Sequence, residues 1–180
     1  MKLKIVKDTN PIMRKRSLPV EMPLSKNDKD TLDAMLEYLK LSQDEEYAKK
    51  HNIQAGVGMA AIQVGILKRM FVIYYQRDDE IIQYQLVNPV IIETSVKKCA
   101  LEAGEGCLSV PNHHEGLVHR YYKIKMQAYD ALTGEDIIIT AMGYDAIVLQ
   151  HEYDHLEGKF YYDRINTLEP NRAIPGEEII

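Results

Sequence analysis

Between residues 25 and 41 the apolar positions Leu32, Met35, Leu36 and Leu39 recur at the three-and-four spacing that lines one face of a helix. Ser25 with Asp28 three positions on is a capping-box start, so a helix is predicted over about 26–41. The pattern then dissolves into the polar stretch 42–55, which reads as a surface insertion with room for a short helix near 45–50. Past Gly56 and Gly58 the period shortens. Residues 69–75 and 81–87, rich in Ile, Val and Tyr, flank the charged turn Arg77-Asp78-Asp79-Glu80 and read as a hairpin. Pro89 interrupts before a strand at 90–96, and Tyr122, Ile124, Met126 and Ala128 alternate with Lys123, Lys125 and Gln127 as a further strand. Thr133-Gly134 turns into a strand at 137–139, and Gly143 precedes a run free of Gly and Pro, 144–157, read as a helix that Gly158 ends. Strands in the middle and helices towards both ends predict an α+β fold and not regular βαβ winding.

The chain's 180 residues, 46% of them apolar, suit a single domain over 1–180 with a tail at 166–180. Lys and Arg number 22 against 27 Asp and Glu, a net charge of -5 with no basic block, so no sequence-specific nucleic-acid partner is expected. The longest apolar runs, such as 70–75, are strand-sized and too short to span a bilayer. Charged residues interrupt the first eight positions, unlike a secretory leader, which places the protein in the cytoplasm as an expectation. The two cysteines, Cys99 and Cys107, form no disulfide framework and are read as thiols.

Candidate chemistry begins on the last helix. His151-Glu152-Tyr153-Asp154-His155 contains H-E-x-x-H, and at about 100° per residue the two imidazoles leave one face a turn apart, where both can reach one metal ion. Glu152 falls about 60° from His155, near enough to serve as a general base without being a ligand. Ile147 and Val148 share that inward face, and inward imidazoles without partners would be costly to bury.

A third ligand is required. The metzincin-like extension beyond His155 reaches Tyr161 where a histidine is needed, and Glu169, Glu177 and Glu178 lie in a Pro-containing stretch. Cys107, in Gly104-Glu105-Gly106-Cys107-Leu108-Ser109, is the better candidate, because flexible backbone lets a thiolate approach an ion closely. Cys99 sits in a strand-like stretch and is read as a buried thiol. Gly56, Gly58 and Ala61 match G-x-G-x-x-A, yet neither an apolar strand before them nor a helix after them supports a dinucleotide site. Small residues there let a substrate backbone lie close, and Gln63 offers an amide donor for an oxyanion. Val57, with Ile147 and Val148, could line an apolar pocket beside the metal.

Together, G-x-G-x-A-A-x-Q at 56–63, E-G-C-L-S at 105–109 and Q-H-E-x-D-H at 150–155 resemble the three signature motifs of the peptide deformylases, in the family's order, with similarity running from about residue 7 to 165. The polar insertion resembles the longer, Gram-positive-type branch, and Ile62 departs from the Pro or small polar residue that relatives often carry. The resemblance implies an α+β fold with antiparallel sheets packed around a central helix carrying His151 and His155. It implies Cys107 as third ligand, and an enzyme that removes the formyl group from formyl-methionyl nascent polypeptides and releases formate. It also implies that Gln63 and the Leu108 N–H polarise the formyl oxygen, that Glu152 moves the proton, and that Val57, Gly58 and Gly106 contact substrate. One divalent ion is expected, Fe2+ by resemblance, although a Cys-His-His set also accepts Zn2+, Ni2+ or Co2+. A monomer working near the ribosome completes the expectation. A protease cutting internal peptide bonds and a non-catalytic metal-binding protein are the alternatives that the residues leave open.

Overall fold

The computed structural model describes residues 3–180. In chain order it contains α1 (Lys26–Ser42), α2 (Glu45–His51), β1 (Gly58–Ala60), β2 (Met70–Arg77), β3 (Glu80–Thr94), β4 (Lys98–Ala100), β5 (Arg120–Tyr121), β6 (Lys123–Asp130), β7 (Glu135–Met142), α3 (Tyr144–Leu156) and β8 (Glu178–Ile179). α1 starts where the sequence places it: the Ser25 hydroxyl accepts the Asp28 N–H at 3.1 Å. Asp44 caps α2 in the same way, and Asn52, in the left-handed region, ends it. α2 occupies the polar stretch 42–55, and none of its residues is buried.

The architecture is α+β. β1, β2, β3, β6 and β7 form a wholly antiparallel five-stranded sheet in that order. Along β2 the side chains alternate between two cores: Met70 and Val72 pack with Leu32, Met35 and Leu39 of α1, whereas Phe71, Ile73 and Tyr75 pack with Val148 and Leu149 of α3. The β1–β3 part of the sheet therefore lies between the two long helices, and burial of both faces explains why β2 reads as a continuous apolar run. α3 touches β1, β2, β5 and β7, which makes it the central helix of the resemblance.

Three features differ from the sequence reading. Pro89 does not separate two strands, because β3 runs unbroken from 80 to 94. A register shift between Val87 and Val90 absorbs the proline, with Asn88 at φ 50 and its side-chain amide bonded to both the N–H and the carbonyl of Val20. The sheets are not all antiparallel either: β4 pairs antiparallel with β5 and parallel with β8. β8 itself lies in the stretch read as a tail. Finally, residues 58–60 pair as a strand with β2, and 61–64 make one 3-10 turn that Gly65 ends at φ 82. Ile62 is fully buried in that turn, packed in the α3-side core.

Candidate metal centre and its cavity

Gly143, at φ 56, turns the chain from β7 into α3 and its carbonyl accepts the Ile147 N–H at 3.0 Å, which sets the helix phase so that His151 and His155 project from one face. Their ring centroids are 4.9 Å apart. The arm bearing Cys107 is fixed by the N-terminal segment: the Lys7 ammonium donates to the Leu108 carbonyl at 2.9 Å, and the Asp8 N–H donates to the Ser109 carbonyl at 2.9 Å. These restraints bring the Cys107 sulfur to 3.3 Å from His155 Nε2. Among the described residues, the ligating atoms of Cys107, His151 and His155 all lie within 4.8 Å of one another. Sulfur and nitrogen bound to one tetrahedral ion at ordinary bond lengths stand roughly 3.6 Å apart, so the donor set fits a single cation of the Zn2+ or Fe2+ type.

Behind the donors runs a buried chain of charges. Glu105 Oε2 lies 2.8 Å from His151 Nδ1, which leaves Nε2 of that ring for an ion. Arg120, 1% exposed, donates to both oxygens of Glu105, at 2.5 and 2.8 Å, and to Asp154 at 2.9 Å. Arg164 in turn donates twice to Asp154 at 2.6 Å. Burial disfavours the Glu105 charge, but Arg120 and His151 outweigh it and hold the carboxyl down at about 2. Burial likewise opposes the Cys107 thiolate, yet His155 and His151 bring the thiol down to about 5, the ionised form a metal ligand requires. Glu152 is the exception: desolvation pushes it up to about 7, with the Cys107 charge adding and both histidines opposing. Its Oε2 has no hydrogen-bond partner among the described residues, as expected of a polar atom at a site built for a guest.

A cavity of about 250 Å³ opens onto His151, Cys107 and Glu152. Val57, Gly58, Gly106 and Leu108 line it, as do Ile147 and Val148, so the sequence-derived pocket residues meet in one place. A side chain at Gly106 would meet nothing within 4 Å, whereas a methyl built on Gly58 falls 2.4 Å from Glu152 Oε1. Gly58 therefore makes room for Glu152 as well as for any ligand backbone. Gln63 ties the motifs together: its Oε1 accepts the Ala60 N–H at 2.8 Å, and its Nε2 lies 3.1 Å from Ser109 Oγ and 3.6 Å from the Cys107 sulfur. Sequence reasoning assigned no role to Glu105, Arg120 or Asp154. The first and last were visible as charged positions within the motifs at 105–109 and 150–155, but Arg120, in an unremarkable Lys- and Tyr-rich stretch, carried no signal.

An HExxH helix, a converging thiolate, an uncompensated buried carboxylate and an amide donor around one cavity are the constellation of a metal-dependent hydrolase. The family model for polypeptide deformylase matches residues 2–171. Peptide deformylase of Staphylococcus epidermidis is 44% identical over 178 residues, covering 98% of this chain and 96% of that protein. The Ligilactobacillus salivarius peptide deformylase is 45% identical over 180 residues, with the same two coverages. The crystal structure of peptide deformylase from Thermotoga maritima superposes with a TM-score of 0.72 at 32% identity, over 92% of this chain and 99% of that one. The chain belongs to the polypeptide deformylase family, whose members remove the N-formyl group from nascent peptides.

Proposed function

We propose that this chain hydrolyses the formamide bond of N-terminal formyl-methionyl peptides, with Cys107, His151 and His155 holding one divalent ion. The observation that carries the reading is the mutual approach, within 4.8 Å, of one sulfur and two imidazoles beside the buried carboxylate of Glu152, whose Oε2 has no hydrogen-bond partner among the described residues. A divalent ion held there supplies Lewis-acid polarisation and acidifies water near it. Family resemblance favours Fe2+ among the ions that this soft and borderline donor set accepts, and anaerobic metal analysis of the purified protein identifies it.

Glu152 takes the proton of the attacking water and returns it to the departing amine, a task suited to a carboxyl raised to about 7. The Gln63 amide, tethered through Ala60 and Ser109, and the backbone N–H of Leu108 donate to the oxyanion that develops on the formyl oxygen. One such donor is worth roughly 3 kcal/mol. Gly58 and Gly106 let the substrate backbone lie close, and Val57, Ile147 and Val148 surround the methionine side chain. The reading extends to one catalytic domain over 1–180, acting as a monomer in the cytoplasm where formylated chains leave the ribosome. No helix among the described residues is long and apolar enough to cross a membrane.

Formyl-Met peptides and internally blocked peptides of the same sequence separate deformylation from endopeptidase cleavage by the bond that breaks. Glu152→Gln is expected to lower kcat by about 10²–10⁴-fold with metal content per chain unchanged. Turnover of that variant at the wild-type rate would remove Glu152 from its role.

A further inference from the structure

The stretch beyond α3 that reads as a tail returns to the site. β8 lies parallel to β4 with Glu178 opposite Cys99 and Ile179 opposite Ala100. One residue further, the Ile180 N–H donates to the Ala100 carbonyl at 2.9 Å, and the Ile180 carbonyl accepts the Glu102 N–H at 2.9 Å. This pair of bonds brackets Leu101, which lines the 250 Å³ cavity. From Leu101 a turn closed by the Gly104 N–H on the Leu101 carbonyl, at 3.0 Å, leads directly into Glu105, Gly106 and Cys107. Two latches hold the bracketing segment in place. The Glu177 carboxylate, with its side chain 0% exposed, lies 2.8 Å from His119 Nδ1 and accepts the Ile174 N–H at 3.1 Å, and Glu178 pairs with Lys97. On its other flank the Ile180 side chain lies over Gly143, at the start of the helix whose Tyr144 also lines the cavity.

We propose that Ile180 is a positioning residue for substrate selection, its backbone fixing Leu101 as a wall of the pocket that receives the side chain of the formylated residue. The inference rests on the deformylase reading of that cavity. β4 is three residues long and stops at Ala100, so Leu101 is secured by this bracket and by its own turn and not by a sheet interior. The contacts of Ile180 with the Leu101 segment are made by its main-chain N–H and carbonyl, and the residue as a whole is 43% exposed.

The test compares metal-loaded wild type, Ile180→Pro and Ile180→Ala on formyl-Met and formyl-Ala peptides. Proline removes the N–H that Ala100 accepts, whereas alanine keeps both backbone bonds. Ile180→Pro is expected to raise KM for the methionyl peptide roughly tenfold and to lower the Met-over-Ala preference by a similar factor, about the discrimination one methylene commands in a pocket. Its kcat should stay within about twofold of wild type, and Ile180→Ala should behave as wild type throughout. Glu177→Gln, which loosens the same segment from a different point, should shift KM and preference in the same direction. With Leu101→Ala in the background, Ile180→Pro should change the preference no further. A fall in kcat alone, with KM and preference intact in both Ile180→Pro and Glu177→Gln, marks a purely structural strand and overturns the proposal. Inactive wild type on both peptides defeats the deformylase reading itself, a separate outcome.

Discussion

Gly58→Ala tests the placement of Glu152, with KM read beside kcat because Gly58 also lines the cavity. A methyl on Gly58 would stand 2.4 Å from Glu152 Oε1, 2.7 Å from Cδ and 2.8 Å from Cγ. Heavy atoms in comfortable contact are about 3.5 Å apart, so roughly 1 Å of separation must be found. The backbone of Gly58 cannot yield it, because Gly58 is paired with Ile73 in β1 and the strand is buried along its whole length. The side chain of Glu152 must move, and at 4% exposure it moves within a packed interior. Misplacing a catalytic group by 1 Å costs on the order of 10²-fold in rate, or about 2.7 kcal/mol of barrier. The substitution puts no strain on the glycine's own backbone, as Gly58 does not sit in the left-handed region. The expected variant is therefore folded, carries as much metal as wild type, and turns over formyl-Met peptide about 100-fold more slowly. Steady-state kinetics beside metal analysis of the same preparation measures both quantities. Activity within about threefold of wild type, or loss of the metal, would refute the inference that Gly58 is small for the sake of Glu152.

Two further substitutions probe the scaffold. Arg120→Met leaves Glu105 and Asp154 buried with their shared cation gone, although Arg164 still serves Asp154. Urea unfolding should show a loss of about 3–5 kcal/mol, and the released His151 ring should shed its metal faster to a chelator. Gly158→Ala combines φ 69 with a Cβ only 2.4 Å from the Arg14 carbonyl oxygen, a backbone atom that cannot rotate away. Calorimetry should register at least about 1–3 kcal/mol of destabilisation, with kcat of the folded fraction unchanged.

The sequence disclosed what depends on residue type at fixed local spacing. α1 and α3 follow from apolar period and end signals, and the HExxH faces coincide because helix geometry alone places residues four apart on one side. Cys107 was reachable by elimination, since the positions that other ligand patterns require hold Tyr161 or stand in a Pro-containing stretch. What stayed hidden depends on long-range pairing. The fused β3 could not be read through Pro89, because the relief comes from Asn88 bonding Val20, 68 residues away. Arg120 was invisible for the same reason: nothing near it in the chain needs a guanidinium, and its meaning arises only where β5, Glu105 and Asp154 meet.

The charge chain also shows why the metal ligands stand where they do. A carboxylate buried against His151 would lose its proton reluctantly if alone, since desolvation is the largest influence acting on Glu105. Arg120 reverses that balance, but a lone buried guanidinium beside one carboxylate would leave a donor unsatisfied, and Asp154 accepts it. Asp154 precedes His155 on α3, so the residue that completes the pairing of Arg120 belongs to the helix carrying both imidazoles. The charge that keeps His151 oriented is thereby anchored to the same rigid rod as the ligands themselves. A displacement of α3 would disturb ligand and support together, so the centre is held as one unit and not as a set of independently adjustable side chains.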